Sequence, residues 1–109
     1  MININKYYHY TQKHNIPDIL RSKELKGIGV FACKTKEDIF KFINFYLNTG
    51  IIKLDETVLI EFETNIKFEE SYDHDPKTFN NARAVVYWDG NVPLLEIRLL
   101  EIEYKKDDI

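Results

Sequence analysis

The 109-residue chain contains one cysteine and carries no excess of positive charge. A lone cysteine, Cys33, excludes an intramolecular disulfide framework, so we expect a reducing compartment, the cytoplasm. The net charge of -3 argues against non-specific nucleic-acid binding, because that binding needs a basic surface. No apolar run approaches the roughly 20 residues of a membrane helix, and residues 1–6 lack the pattern of a signal peptide. We therefore expect no association with a membrane.

Glycine and proline are also scarce, at four and three residues, and no repeat or low-complexity linker divides the chain. Hydrophobic residues make up 44% of the chain and aromatic residues 14%, which is enough for a packed core. We expect one domain over residues 1–109, with residues 105–109 as a frayed tail.

Two helices are predicted, both in the first half of the chain. The first begins near Asn15 or Ile16, with Pro17 in its first turn, and ends between Ser22 and Leu25. Before the second helix, Thr35 and Asp38 have the spacing of a capping box. Apolar residues then recur every three or four positions, namely Ile39, Phe40, Ile43, Tyr46 and Leu47. Gly50 follows them and is predicted to end the helix.

Strands account for most of the remaining chain. They are predicted over residues 5–11, 29–33, 58–63, 84–88 and 94–104. Residues 67–81 combine charges with turn formers, and we expect a loop there with at most a short strand. Because the helices are confined to the first half, the order of elements predicts an α+β fold and not a parallel doubly wound sheet.

The segment around His9 is the most informative for function. Side chains two residues apart share one face of a strand, so His9 and Thr11 point together while Tyr8 and Tyr10 point the opposite way. An imidazole and a hydroxyl on one face can bind a ribose diol or an amide. The alternative is that His9 has only a structural role, with its ring hydrogen-bonded inside an aromatic cluster.

Several short segments resemble, in order and spacing, the ADP-ribosyltransferase fold. They are His9-Tyr10-Thr11, residues 16–22 with Leu25 beyond, Gly29-Val30-Phe31-Ala32, and residues 85–93 with Ile97. The chain is most similar to the clade that begins with His-x-Thr or His-x-Ser. That clade includes the diphtheria-toxin and poly-ADP-ribose polymerase types, the DNA-targeting toxins and, on a related fold, RNA 2′-phosphotransferases. The resemblance implies a small split antiparallel sheet, NAD or a related nucleotide as ligand, and a toxin or phage setting.

The resemblance also implies roles for individual residues. His9 would hydrogen-bond the nicotinamide ribose, the backbone of Tyr10 would meet the carboxamide, and Thr11 would support the end of that strand. Phe31 would stack against the nicotinamide ring, because ring faces carry a negative quadrupole potential. Tyr46 would be the opposing aromatic, unless it belongs to the ordinary core of its helix.

One position departs from the family pattern. A glutamate that stabilises the oxocarbenium-like ribose precedes the late strand of the family, and here that position is Ala84. Arg83 stands beside it and could instead bind a phosphate. Three glutamates on other predicted strands are alternative sources of a carboxylate, although alternating glutamates usually form a solvated face: Glu61, Glu96 and Glu101.

Two functions therefore remain open. The first is an enzyme that transfers ADP-ribose from NAD to a protein or nucleic acid. The second is an inactive acidic module that inhibits a partner protein by presenting carboxylates, such as those of Glu69 and Glu70, to a basic site. No metal site is expected, because Asp73-His74-Asp75 lacks further ligands at a suitable spacing. Cys33 is expected to pack as a small hydrophobe.

Overall fold

The computed structural model describes residues 3–104, and it confirms the α+β class. Helix α1 spans Ile16–Ser22 and helix α2 spans Lys36–Asn48, so both lie in the first half of the chain. The strands are β1 (Asn5–Gln12), β2 (Glu24–Leu25), β3 (Val30–Ala32), β4 (Thr57–Thr64), β5 (Glu69–Ser71), β6 (Ala84–Tyr87), β7 (Val92–Pro93) and β8 (Glu96–Leu100). Over the same residues, neither helix has the length and apolarity needed to cross a membrane.

The strands form three antiparallel sheets. The main sheet has the order β1-β4-β8, the second sheet has the order β3-β6-β5, and β2 pairs with β7. The main and second sheets meet at one bridge, where Tyr8 and Cys33 exchange two backbone hydrogen bonds of 2.8 Å. Beyond this bridge β1 and β3 diverge, because β1 continues along β4 while β3 pairs with β6.

Alternating side chains give the main sheet two differently covered faces. On one face, Tyr7, Ile60 and Phe62 belong to an apolar cluster that also includes Ile19 of α1. On the other face, buried Leu59 packs in a cluster with three residues of α2, namely Ile39, Phe42 and Ile43. The sheet is therefore sandwiched between the two helices.

The two helices begin differently. The Thr35 hydroxyl accepts a hydrogen bond of 3.1 Å from the Asp38 backbone N–H, which confirms the predicted cap of α2. Asn15 precedes α1 but makes no side-chain cap, and Pro17 lies in the first turn as predicted. The helix ends at Ser22 because Lys23 adopts a left-handed conformation, with its N–H donating to the Ile19 carbonyl at 2.8 Å.

The prediction of one long strand over residues 94–104 is wrong. The Leu94 N–H donates to Lys23 at 2.9 Å, whereas the next N–H, of Leu95, donates to Glu63 of β4 at 2.8 Å. Because consecutive residues pair with different segments, the predicted strand begins only at Glu96, as β8, and the preceding β7 belongs to a different sheet. Residues 101–104 form no strand, and Tyr104 donates from its hydroxyl to Asn48 Oδ1 of α2 at 2.8 Å.

The other predicted strands are confirmed with small shifts at their ends, and residues 67–81 contain only the short strand β5. The predicted tail, residues 105–109, lies outside the described residues.

Candidate functional site

The main candidate site is a cavity of about 500 Å³ at the place where β1 and β3 diverge. We call it the fork cavity. It is partly open to solvent, and its walls come from the second half of β1, from α1 and from the segment between α1 and β3. Its lining residues are His9, Tyr10, Thr11, Asn15, Asp18, Ile19, Glu24, Leu25, Lys26, Gly29, Val30 and Phe31. Four of the predicted site residues, His9, Tyr10, Thr11 and Phe31, thus converge on one cavity.

His9 links the two strands just past the bridge. Its Nδ1 lies 2.6 Å from the Phe31 carbonyl oxygen, so Nδ1 carries the proton and donates it across the gap. Burial lowers the pKa of His9 from its ordinary value of 6.5, and the hydrogen bond to Phe31 opposes this shift more weakly. The ring is therefore neutral at neutral pH, and Nε2 is left as a hydrogen-bond acceptor.

Thr11 lies on the same face of β1 as His9. Its Oγ1 accepts a hydrogen bond of 3.1 Å from the Asn15 side chain, which ties the end of β1 to the start of α1. Tyr10 points to the opposite face, where its ring centroid lies 6.0 Å from that of Tyr46. The backbone alternation predicted for this strand therefore holds, and it places two small polar groups beside the fork cavity.

Phe31 is held in place by two edge-on aromatic contacts. Its ring centroid lies 5.7 Å from that of Trp88 and 5.7 Å from that of His74, at nearly perpendicular angles. Trp88 also packs directly on Gly29, since a Cβ at Gly29 would lie 2.5 Å from the indole ring. These contacts fix the aromatic wall of the fork cavity.

Charged residues in the fork cavity were not predicted from the sequence. Asp18 forms ion pairs of 3.1 Å with both Lys26 and Arg21, and these partners lower the pKa of its carboxyl. Glu24 lies on the cavity wall, and its carboxylate accepts a hydrogen bond of 3.4 Å from the Asn91 side chain. No local motif marks Glu24 and Lys26, because the turn after α1 is what brings them to the cavity.

Tyr46 does not line the fork cavity. It borders a second, apolar cavity of about 40 Å³ between α2 and the second sheet, which we call the helix cavity. Phe31 and Tyr10 border both cavities, so Phe31 and Tyr46 face a common space that is much too small for a nicotinamide ring. The two aromatic residues do not form opposite walls of one large site.

The late-strand positions lie apart from the fork cavity. Ala84 is buried and borders the helix cavity, whereas Arg83 is exposed and lines neither cavity among the described residues. Glu61 forms an ion pair of 3.1 Å with Lys6 in a charged groove at the other end of the main sheet. Glu96 lines that same groove, and Glu101 borders a separate surface depression.

Two further reactive groups are placed in the core. Burial raises the pKa of the Cys33 thiol to about 12, so the thiolate needed for nucleophilic chemistry is absent at neutral pH. His74 packs against the rings of Phe42 and Phe79, with centroid distances of 4.8 and 5.4 Å. Between residues 3 and 104, no group of three or more His, Cys, Asp or Glu side chains is arranged to hold a metal ion.

Comparisons of this chain with protein-family models, with curated proteins and with solved structures give no match.

Proposed function

We propose that the chain binds NAD or a related nucleotide in the fork cavity. The observation that carries this proposal is the convergence of His9, Thr11 and Phe31 on one partly open cavity of about 500 Å³. Small-molecule sites typically occupy about 300–1,000 Å³ and combine an aromatic or apolar wall with a few polar groups. The fork cavity has both properties.

Each part of a nucleotide has a suitable partner in the cavity. His9 Nε2 accepts from a ribose hydroxyl, because Nδ1 is already committed to the Phe31 carbonyl. Phe31 offers an aromatic surface to a planar base. Lys26 lines the cavity wall and Arg21 does not; the Lys26 ammonium pairs with Asp18 at 3.1 Å, and because it has three donors it can also meet a phosphate.

Transfer of ADP-ribose would also require a carboxylate near the ribose, and Ala84 cannot provide one. Asp18 is neutralised by Lys26 and Arg21 at 3.1 Å, whereas Glu24 has only the weaker 3.4 Å contact with Asn91. We therefore assign to Glu24 the role of opposing the positive charge that develops as nicotinamide leaves. The acceptor would be a protein or nucleic acid presented at the open side of the cavity.

Thermal unfolding with and without NAD tests binding. We expect NAD to raise the melting temperature of the native chain, because a ligand that binds only the folded state stabilises it. Thr11→Val should reduce this shift, because it removes a hydroxyl from the cavity wall, and His14→Ala should retain it, since His14 is exposed and lies outside the fork cavity. An unchanged melting temperature with NAD, with ADP-ribose and with nicotinamide would refute the proposal.

Release of nicotinamide tests the enzymatic step separately. We expect release by the native chain and its loss in Glu24→Gln, which keeps the shape of the side chain but removes its charge. The variant should still show the NAD-dependent melting shift. Binding without release would leave a nucleotide-binding protein and reject transfer.

A second candidate function, an acidic inhibitor module, is favoured by Ala84 in the place of the expected glutamate. Glu69 and Glu70 are exposed on β5, although Glu70 is partly neutralised by Lys34 at 2.7 Å. This function predicts that retention on immobilised polylysine is lost in the double variant Glu69→Lys/Glu70→Lys. The control variant Asp55→Lys/Glu56→Lys changes the net charge by the same amount at another place. Equal losses of retention in the two variants would show that retention depends on net charge alone.

A further inference from the structure

Strand β8 is an edge strand of the main sheet. Within residues 3–104, β8 pairs with β4 on one side and with no strand on the other. Such an edge presents unpaired backbone N–H and C=O groups and is a template for pairing with another chain. Beside this edge Leu99 is 50% exposed and Leu95 is 53% exposed.

The charges on β8 are poorly matched within the chain. Glu96 lies directly opposite Glu63 of β4, and like charges at opposite positions destabilise a sheet. Arg98 lies opposite Glu61, but that carboxylate is already paired with Lys6 at 3.1 Å. Among the described residues, Arg98 itself makes no ion pair, so β8 carries one exposed anion and one exposed cation two residues apart.

Two copies of β8 are complementary in one antiparallel register. With Ile97 opposite itself, Glu96 of each copy stands opposite Arg98 of the other, which gives two ion pairs. Moving the register so that Arg98 faces Arg98, or Glu96 faces Glu96, places like charges together. In the complementary register Leu99 also stands opposite the exposed Leu95 of the second copy, which adds an apolar contact to the two ion pairs.

We propose that the chain forms a symmetric dimer in which two β8 strands pair in this register around Ile97. The two three-stranded main sheets then join into one six-stranded sheet, with an isologous twofold interface. The fork cavity lies beside β1, at the opposite edge of the main sheet, so each copy keeps its cavity open. The dimer is thus independent of nucleotide binding.

A cysteine at the twofold position tests the register. Directly opposite Cα atoms in an antiparallel pair lie about 4.5–5.5 Å apart, within disulfide range. Ile97→Cys should therefore form a covalent dimer under mild oxidation. Leu99→Cys should not, because the two copies of residue 99 are offset by four positions, about 13 Å. The native Cys33 is 2% exposed and does not interfere. Crosslinking at 99 and not at 97 would refute the register.

Charge reversal tests the interface without covalent chemistry. By sedimentation equilibrium, we expect the native chain to have twice the monomer mass and Arg98→Glu to be monomeric. The exchange Glu96→Arg/Arg98→Glu should restore the dimer, because it re-creates both ion pairs with opposite polarity. Circular dichroism confirms that each variant is folded. A native chain that remains monomeric at every concentration, or a dimer indifferent to Arg98→Glu, would overturn the proposal.

Discussion

The two faces of the main sheet are covered to very different extents. On one face, the 13-residue helix α2 packs so closely that a space of only about 40 Å³ remains beside it. On the other face, the seven-residue helix α1 leaves a cavity of about 500 Å³. The same strands therefore support one closely packed face and one face that is packed around Tyr7 and Phe62 but hollow beside His9 and Thr11.

The difference follows from the side chains that β1 presents to each layer. Tyr8 and Tyr10 face α2 and fill the space with aromatic volume, whereas His9 and Thr11 face the other way and are small and polar. Beside these polar residues the short helix α1 has little apolar surface to bury, so the layers close around Tyr7 and Phe62 but not beside His9 and Thr11. The side chains of β1 alternate between the two faces, which brings the polar groups to one face. Packing is incomplete beside them, and the candidate site lies there.

Truncation of a core residue should give the largest difference in stability between the two faces of the main sheet. Ile43 of α2 is fully buried, and Ile43→Ala should destabilise the protein by about 2–5 kcal/mol because it leaves a closed cavity. Ile19→Ala, on the hollow side, should fall near the lower end of this range, about 2 kcal/mol, because the lost volume joins a cavity that is already open. Urea denaturation measures both, and equal losses would contradict the comparison.

A side chain added at Gly29 should test how rigid the wall of the fork cavity is. Gly29→Ala places a Cβ 2.5 Å from Trp88 at a φ of +80°, whereas Gly27→Ala at +145° meets nothing within 4 Å. Both variants are strained, but Gly29→Ala should cost about 1–3 kcal/mol more in unfolding free energy because of overpacking. Trp88→Ala in the Gly29→Ala background should recover this difference, and no recovery would show that the indole is not the obstacle.

Substitution of the residue before each helix should give a smaller difference in stability. Thr35→Ala removes the hydrogen bond to the Asp38 N–H and should cost about 1 kcal/mol in thermal or urea unfolding. Asn15→Ala removes no cap from α1 and should change stability by well under that amount, about 0.5 kcal/mol or less. A larger loss at Asn15 than at Thr35 would mean that its bond to Thr11 matters more than the capping of α2.

The smallest effect is expected from His9 near neutral pH. Its folded-state pKa lies below the ordinary 6.5, so the unfolded chain binds a proton more readily as the pH falls through 6.5. The contribution of the neutral His9 ring to the free energy of unfolding is therefore fully present above that pH and is lost as the pH falls below it. His9→Gln should therefore flatten the decline in melting temperature from pH about 7 to about 5.5. His14→Gln is the control and should leave the decline as steep as in the native chain.

Local sequence rules predicted most of the fold. The cap at Thr35, the periodicity of α2 and the alternation of β1 depend on near neighbours, and each is found as predicted. The break between β7 and β8 could not be predicted in this way. It depends on the Lys23 carbonyl, a distant partner that takes the Leu94 N–H.

The same distinction applies to the candidate site. His9 and Thr11 could be placed together from the period of a strand, and Phe31 from its position in the resembling segment. Glu24 and Lys26 could not, because only the turn after α1 carries them to the fork cavity. Only the resemblance places Tyr46 at the nucleotide site, whereas α2 directs it to the helix cavity on the other face.

The packing of Trp88 on Gly29 provides an optical probe without labelling. The chain has a single tryptophan, so emission excited at wavelengths that its seven tyrosines do not absorb originates from one known place. The indole is 47% exposed and contacts both Gly29 and Phe31, two residues of the fork-cavity wall. A molecule that enters the fork cavity should alter the emission wavelength or intensity, so titrations can be followed on the native chain in ordinary buffer.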